Sequence, residues 1–146
     1  MERKLRSYLN PDARFIILRD QDSGDCLVVK ERLMDKCRLA HKENAQVRIA
    51  CRELESWYLA DLAAVSLAFG MPHLASRQSV SKYRNPDSME CPSAELKRLV
   101  PSYQKVGGSR TIAPFLDLDN NRSRSFSHFV ESIRMKSEAL INDARS

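Results

Sequence analysis

Two aspartates stand two residues apart where a strand is expected to end. Asp20 and Asp22 follow the apolar run 15–18, and turn-forming residues come directly after them. A carboxylate pair at the carboxyl end of a parallel strand suits Mg²⁺ or Mn²⁺, which take oxygen ligands and bind through one or two carboxylates together with substrate phosphates. The spacing therefore predicts a metal site at Asp20 and Asp22. The alternative is a plain turn that caps the next helix.

A second carboxylate pair, Glu53 and Glu55, comes just after the next expected strand. Residues two apart in a helix point roughly 200° away from each other. Only one of the two is therefore expected at the metal site, and Glu53 lies nearer the strand end. The alternative is that both are acidic residues favoured by the positive end of a helix.

The run 121–126 combines arginines, hydroxyls and an aromatic residue at the front of the last expected helix. Helix N-terminal N–H groups with Arg122 and Arg124 beside them would suit a phosphate. An ordinary solvated helix start is an equal alternative. Further basic residues in expected loops could extend this surface: Lys82, Arg84, Lys105 and Arg110.

Composition limits the classes of protein that the chain can represent. Its 146 residues, 42% hydrophobic and 29% charged, suit one compact domain with a real core. A net charge of +5 favours a polyanionic partner. No apolar run approaches the length of a membrane span and no secretory signal is visible, so we expect a cytoplasmic protein without a membrane partner.

Glycine and cysteine usage excludes several kinds of site. With only four glycines, the chain has no phosphate-cradling glycine loop. The four cysteines form no close pair, which favours free thiols packed among apolar residues over a zinc site.

The order of elements predicts an α/β fold with a small parallel sheet covered by helices and a mostly helical C-terminal part. Two strands make a poor sheet, so we expect either that a partner supplies more strands or that this chain is the later portion of a longer domain. Residues 57–58 are expected in the core and 103–108 in a loop. We expect two strands, a buried one at 13–19 and a second at 46–51. We expect helices at 2–8, 26–41, 52–69, 93–99 and 125–136, and a helical turn at 111–116. The tail after residue 136 is expected to fray.

Six segments, 18–22, 25–26, 48–61, 82–87, 103–105 and 121–126, together resemble the bacterial DUF4276 family, which is grouped with Toprim-like domains. Toprim domains bind Mg²⁺ through a glutamate after an early strand and an Asp-x-Asp after a later one. Asp20 and Asp22 match the second element, and the first has no match. The resemblance thus implies a single Toprim-like domain over 1–146 that lacks its N-terminal strand segment.

The resemblance also implies an activity, namely metal-dependent hydrolysis of phosphodiester bonds in DNA or RNA, with an ATPase partner in phage defence. Asp20 and Asp22 would bind Mg²⁺ or Mn²⁺, Glu53 would be a further ligand or base, and Lys105 or Arg122 would contact a phosphate. Arg124, Lys82 and Arg84 would contact nucleic acid, and the chain is expected to form a homo-oligomer. The alternative function is a non-catalytic module that binds nucleic acid or protein.

Overall fold

The computed structural model describes residues 1–143 and 145, which form two strands and a series of helices. In chain order the elements are α1 (Glu2–Arg6), β1 (Ile16–Asp20), α2 (Cys26–Leu39), β2 (Gln46–Ala50), α3 (Glu55–Leu59), α4 (Leu62–Phe69), α5 (His73–Ser76), three 3₁₀ turns (Arg77–Ser79, Ser81–Tyr83, Pro86–Ser88), α6 (Pro92–Leu99), α7 (Lys105–Ile112), a 3₁₀ turn (Ala113–Phe115) and α8 (Arg124–Asp143).

The two strands pair in parallel, with Ile16 opposite Gln46 and Asp20 opposite Ala50. Side chains alternate between the two faces of a strand. Val47 and Ile49 pack in a small core with α1 and α2, whereas the neighbouring Arg48 bonds to α8 on the other face. The predicted parallel sheet with covering helices is confirmed.

The prediction that β1 is fully buried is wrong. Leu18 is 36% exposed and Arg19 is exposed as well. None of the described residues pairs with the outer edge of β1, because the sheet has only two strands. The apolar stripe of α2 is also partly uncovered, since Leu27 and Leu39 are 75% and 57% exposed.

The long helix expected over 52–69 is wrong, because the chain forms two helices there. Arg52 takes a left-handed conformation with φ 61°, which a helix through this residue does not allow, and α3 begins at Glu55. A second break follows at Asp61, whose side chain accepts the Ala64 N–H and caps α4. Gly70, in the left-handed region with φ 63°, ends α4 as expected.

The C-terminal part is more helical than its sequence suggested. Residues 105–112 form α7, so the loop expected over 103–108 is wrong. Gly108 is a turn signal in the sequence, but here its missing side chain lets α7 lie against the Tyr103 ring. Helix α8 runs to Asp143, beyond the expected end at 136.

The main core lies among the helices that follow β2. Trp57 and Tyr58 are each 3% exposed, so their expected place in the core is confirmed. All four cysteines are free thiols, as expected, with Cys37 buried and Cys91 exposed. Among the described residues, no helix combines the length and the apolarity that crossing a bilayer requires.

Two glycines offer a matched test of the end of α4. Gly70→Ala should lower the free energy of unfolding by about 1 kcal/mol, because a side chain disfavours the left-handed conformation. Gly107→Ala should raise it by about 0.5 kcal/mol, because Gly107 lies inside α7 and a Cβ there meets no atom within 4 Å. Urea denaturation measures both. Destabilisation of equal size in the two variants would contradict this account of Gly70.

Candidate functional site

Asp20 is the last residue of β1 and lies half-buried at the carboxyl end of the sheet. Its Oδ1 accepts the Leu54 N–H at 2.9 Å, which joins the end of β1 to the segment after β2. Burial raises the pKa of this carboxyl, and the nearby charges of Asp22 and Glu53 raise it further. The hydrogen bond from Leu54 and the charge of Lys105 oppose that shift. Asp20 therefore lies in a negative environment with one cation nearby.

Two left-handed residues shape the turns at this edge. Asp22 (φ 54°) follows β1, Arg52 (φ 61°) follows β2, and the Asp22 N–H donates to the Arg52 carbonyl at 2.8 Å. The Asp22 side chain is 61% exposed, with Arg19 at 3.8 Å as its ion-pair partner. The hydrogen bond holds the two turns together beyond the last ladder pair.

Lys105, at the start of α7, lies between two glutamates. Its Nζ is 3.8 Å from Glu53 Oε1 and 3.9 Å from Glu55 Oε1. Both glutamates therefore lie near the Lys105 ammonium group, whereas the sequence predicts only one of them at the metal site. The acidic site, as we call it, thus consists of Asp20, Asp22, Glu53, Glu55 and Lys105.

Each glutamate has a further hydrogen bond that fixes its position. Glu53 Oε2 accepts the Ser93 N–H at 2.7 Å, which ties the site to α6. Glu55, whose side chain is only 4% exposed, accepts the Tyr103 hydroxyl at 3.0 Å. Burial raises the pKa of Tyr103 far above its usual range, so this tyrosine is a permanent donor. Sequence reasoning missed Glu55 and Tyr103 as site residues, although both lie in segments that carry the family resemblance.

The carboxylates of the acidic site provide only part of the ligand set that a divalent cation needs. Within residues 1–143 and 145, no group of three or more His, Cys, Asp or Glu side chains is placed to hold a metal ion. The Asp20–Asp22 pair matches the simpler mode in which Mg²⁺ binds one or two carboxylates and completes its shell with water and substrate phosphates. Asp22 raises the pKa of Asp20, and a cation between them would relieve that repulsion.

Arg122 and the first turn of α8 already have partners within the protein. The Arg122 guanidinium donates to the Gln78 carbonyl at 2.8 Å. The Ser125 N–H donates to Asp87 Oδ2 at 3.0 Å, and the Phe126 N–H donates to Ser123 Oγ at 3.1 Å. These contacts use two of the N–H groups that sequence analysis assigned to a phosphate.

Lys82 and Arg84 lie apart from the acidic site. Lys82 Nζ pairs with Glu95 at 2.6 Å, and Arg98 and Tyr83 bond to the same carboxylate. Hydrogen bonds from Arg98, Lys82 and Tyr83 lower the pKa of Glu95 to about 2. Lys82 thus balances the charge of the buried Glu95 carboxylate. Arg84 is exposed.

Arg124 lines a cleft of about 660 Å³ beside β2, together with Lys30, Arg48 and His128. We call this the basic cleft. Arg48 is held in place because its Nε donates to Ser132 Oγ at 2.5 Å and to the His128 carbonyl at 3.2 Å. Lys30 belongs to no motif and Arg48 lies far from Arg124 in the sequence, so only the fold shows that they line one cleft.

The comparisons with known proteins give one match. The model of the DUF4276 family, described as a domain of unknown function, matches residues 1–134. The comparisons with curated proteins and with solved structures found no match.

The charges of the acidic site can be tested through the pKa of Asp20. Asp22→Asn should lower this pKa because it removes a repelling charge, and Lys105→Met should raise it because it removes an attracting one. Carboxyl ¹³C NMR titration measures both shifts. Asp35→Asn, an exposed carboxylate on α2, should leave the Asp20 pKa unchanged. An Asp20 titration that is insensitive to Asp22 and Lys105 would contradict the described arrangement.

Proposed function

The chain belongs to the DUF4276 family, and we propose that it is a metal-dependent nuclease that hydrolyses phosphodiester bonds in nucleic acid. One observation carries this proposal: carboxylates from the ends of both parallel strands gather around the ammonium group of Lys105. The carboxyl ends of parallel strands are where open α/β sheets bind ligands.

In this proposal Asp20 and Asp22 hold Mg²⁺ or Mn²⁺ jointly with the substrate phosphate. When bound there, the ion supplies positive charge next to the oxygens on which negative charge develops during phosphoryl transfer. Asp20 is positioned by the Leu54 N–H, and Asp22 is oriented by the turn that bonds to Arg52. Both carboxylates keep oxygen atoms for a cation.

Lys105 contacts a phosphate oxygen, and the glutamates set its position. Its Nζ lies at nearly equal distances from Glu53 and Glu55. The two carboxylates attract the ammonium group and so hold Lys105 at this edge of the sheet. Glu53 is the better exposed of the two, with 22% of its side chain accessible, and would act as the base.

The basic cleft would hold the rest of the nucleic-acid strand. Lys30, Arg48 and Arg124 bring three basic side chains to it. Asp87 also lines the cleft, but its oxygens are engaged by Ser123 and Ser125. Phosphate contacts of this kind supply affinity without sequence preference.

We extend the proposal to a Toprim-like fold and an ATPase partner, both of which follow from the resemblance.

A non-catalytic binding module is the second candidate. It is favoured by the lack of a third metal-binding side chain near Asp20 and Asp22 among the described residues. The basic cleft would serve such a module unchanged, because binding needs its positive charge and not the carboxylates.

Nuclease activity is tested by removing the two aspartates. Asp20→Asn and Asp22→Asn should each lower Mg²⁺- or Mn²⁺-dependent cleavage of DNA or RNA by about 100-fold or more. Removing the metal with a chelator should stop cleavage by the unaltered protein. Labelled oligonucleotides resolved on denaturing gels provide the measurement.

Asp35→Asn is the matched control, because Asp35 is an exposed aspartate on α2 that pairs with Arg38. It should keep full activity. Cleavage at the original rate by an Asp20→Asn, Asp22→Asn double variant would refute the proposed active site.

Nucleic-acid binding is tested separately in the basic cleft. Replacing Lys30 and Arg124 by Gln should weaken binding and reduce the salt dependence of log K by about 1 for each lost phosphate contact. Arg32→Gln with Lys36→Gln changes the net charge equally on an exposed part of α2 and should preserve that slope. Fluorescence anisotropy at several salt concentrations measures both. Equal losses in the two double variants would show that only net charge matters.

A further inference from the structure

The outer edge of β1 has main-chain groups without partners. Gln46 donates its N–H to the Phe15 carbonyl, and Gln21 donates to the Ala50 carbonyl. Bonding residues alternate along a parallel ladder, so the odd-numbered residues of β1 face β2. The N–H and C=O groups of Ile16, Leu18 and Asp20 point the other way, and no described residue bonds to them.

Apolar surface lies on both sides of this edge. On the α8 side, a groove of about 360 Å³ is lined by Leu18, Leu118 and Ile133, which are 36%, 53% and 42% exposed. On the α1 side, a second groove of about 330 Å³ contains Met1 and Tyr8, which are 45% and 48% exposed. An unpaired strand edge between two apolar grooves is a template for strand addition.

We propose that a second copy of this chain covers the edge, with β1 of each copy pairing antiparallel around a two-fold axis at Leu18. The two sheets then join into one sheet of four strands. The axis is perpendicular to the sheet, so the α8 helices of both copies lie on the same face. Their grooves merge around the two Leu18 side chains, which become buried.

The main chain is complementary to itself in this register. Leu18 faces the partner's Leu18, and Ile16 faces the partner's Asp20. All of these are even-numbered residues, whose free N–H and C=O groups point outward, so each pair can exchange two hydrogen bonds. A shift by one residue would place each even-numbered residue opposite an odd-numbered residue of the partner. The main-chain groups of the odd-numbered residues already bond to β2, so the pairing would be lost.

Charge also favours a second copy in this register. Continued by two residues beyond each strand, the same register would place Arg14 opposite the partner's Asp22, where their side chains could pair. Asp22 is 61% exposed, and its ion-pair partner within the chain, Arg19, is at 3.8 Å. Arg14 contacts Asp143 through one nitrogen and keeps other donors of its guanidinium group. Each copy would thus supply a cation beside an aspartate of the other's acidic site.

The oligomeric state tests the proposal. By analytical ultracentrifugation the full chain should sediment as a dimer, and Leu18→Glu should sediment as a monomer with an unchanged circular dichroism spectrum. Leu27→Glu is the matched control, because Leu27 is 75% exposed on α2 outside both grooves, and it should remain a dimer. A monomeric unaltered chain, or a dimer that survives Leu18→Glu, would overturn the proposal.

Two further variants test the register. Leu18→Cys should form a disulfide-linked dimer on oxidation, because facing residues of a hydrogen-bonded antiparallel pair have Cα atoms about 5.5 Å apart, within disulfide reach. Leu27→Cys should show only the cross-linking of the native cysteines. Arg14→Asp and Asp22→Arg should each weaken the dimer, and their combination should restore it. No Leu18→Cys cross-link, or no restoration in the charge-swapped variant, would overturn the register.

Discussion

The acidic site depends on the parallel pairing of β1 with β2, because that pairing brings the chain out of both strands at the same edge. Asp20 ends one strand, and Ala50 ends the other directly opposite it. The two left-handed turns that follow are joined by the bond from the Asp22 N–H to the Arg52 carbonyl. The left-handed turn at Arg52 interrupts the helix expected over 52–69, and α3 begins at Glu55. The pairing and the turn together make the carboxylates converge.

Local sequence patterns predicted the elements whose signals act over short distances. The apolar runs indicated both strands, the expected helix over 52–69 ends where Gly70 ends α4, and the order of elements indicated a parallel sheet. The pairs Asp20–Asp22 and Glu53–Glu55 could be identified as candidates for the same reason. The two members of each pair are only two residues apart and follow a strand, so any parallel sheet built from these strands places them at its carboxyl edge.

Long-range placement could not be predicted from the sequence. Lys105 reaches Glu53 and Glu55 because α6 packs against α3 and α7 packs against α4. Arg122 and Arg124 are two residues apart, but one bonds to Gln78 while the other lines the basic cleft. Lys82 lies beside Glu95, a buried carboxylate that needs compensating charge. Each of these outcomes depends on contacts between segments that are distant in sequence.

In the proposed nuclease, the acidic site would hold the divalent cation and the basic cleft would hold the nucleic-acid strand. The central claim is that Asp20 and Asp22 bind a divalent cation together with a nucleic-acid phosphate. Anomalous diffraction from crystals grown with Mn²⁺ and a non-cleavable oligonucleotide tests this most directly. The account predicts a manganese peak within bonding distance of both carboxylates and of one phosphate oxygen. A manganese ion bound elsewhere, with both carboxylates free of metal, would contradict it.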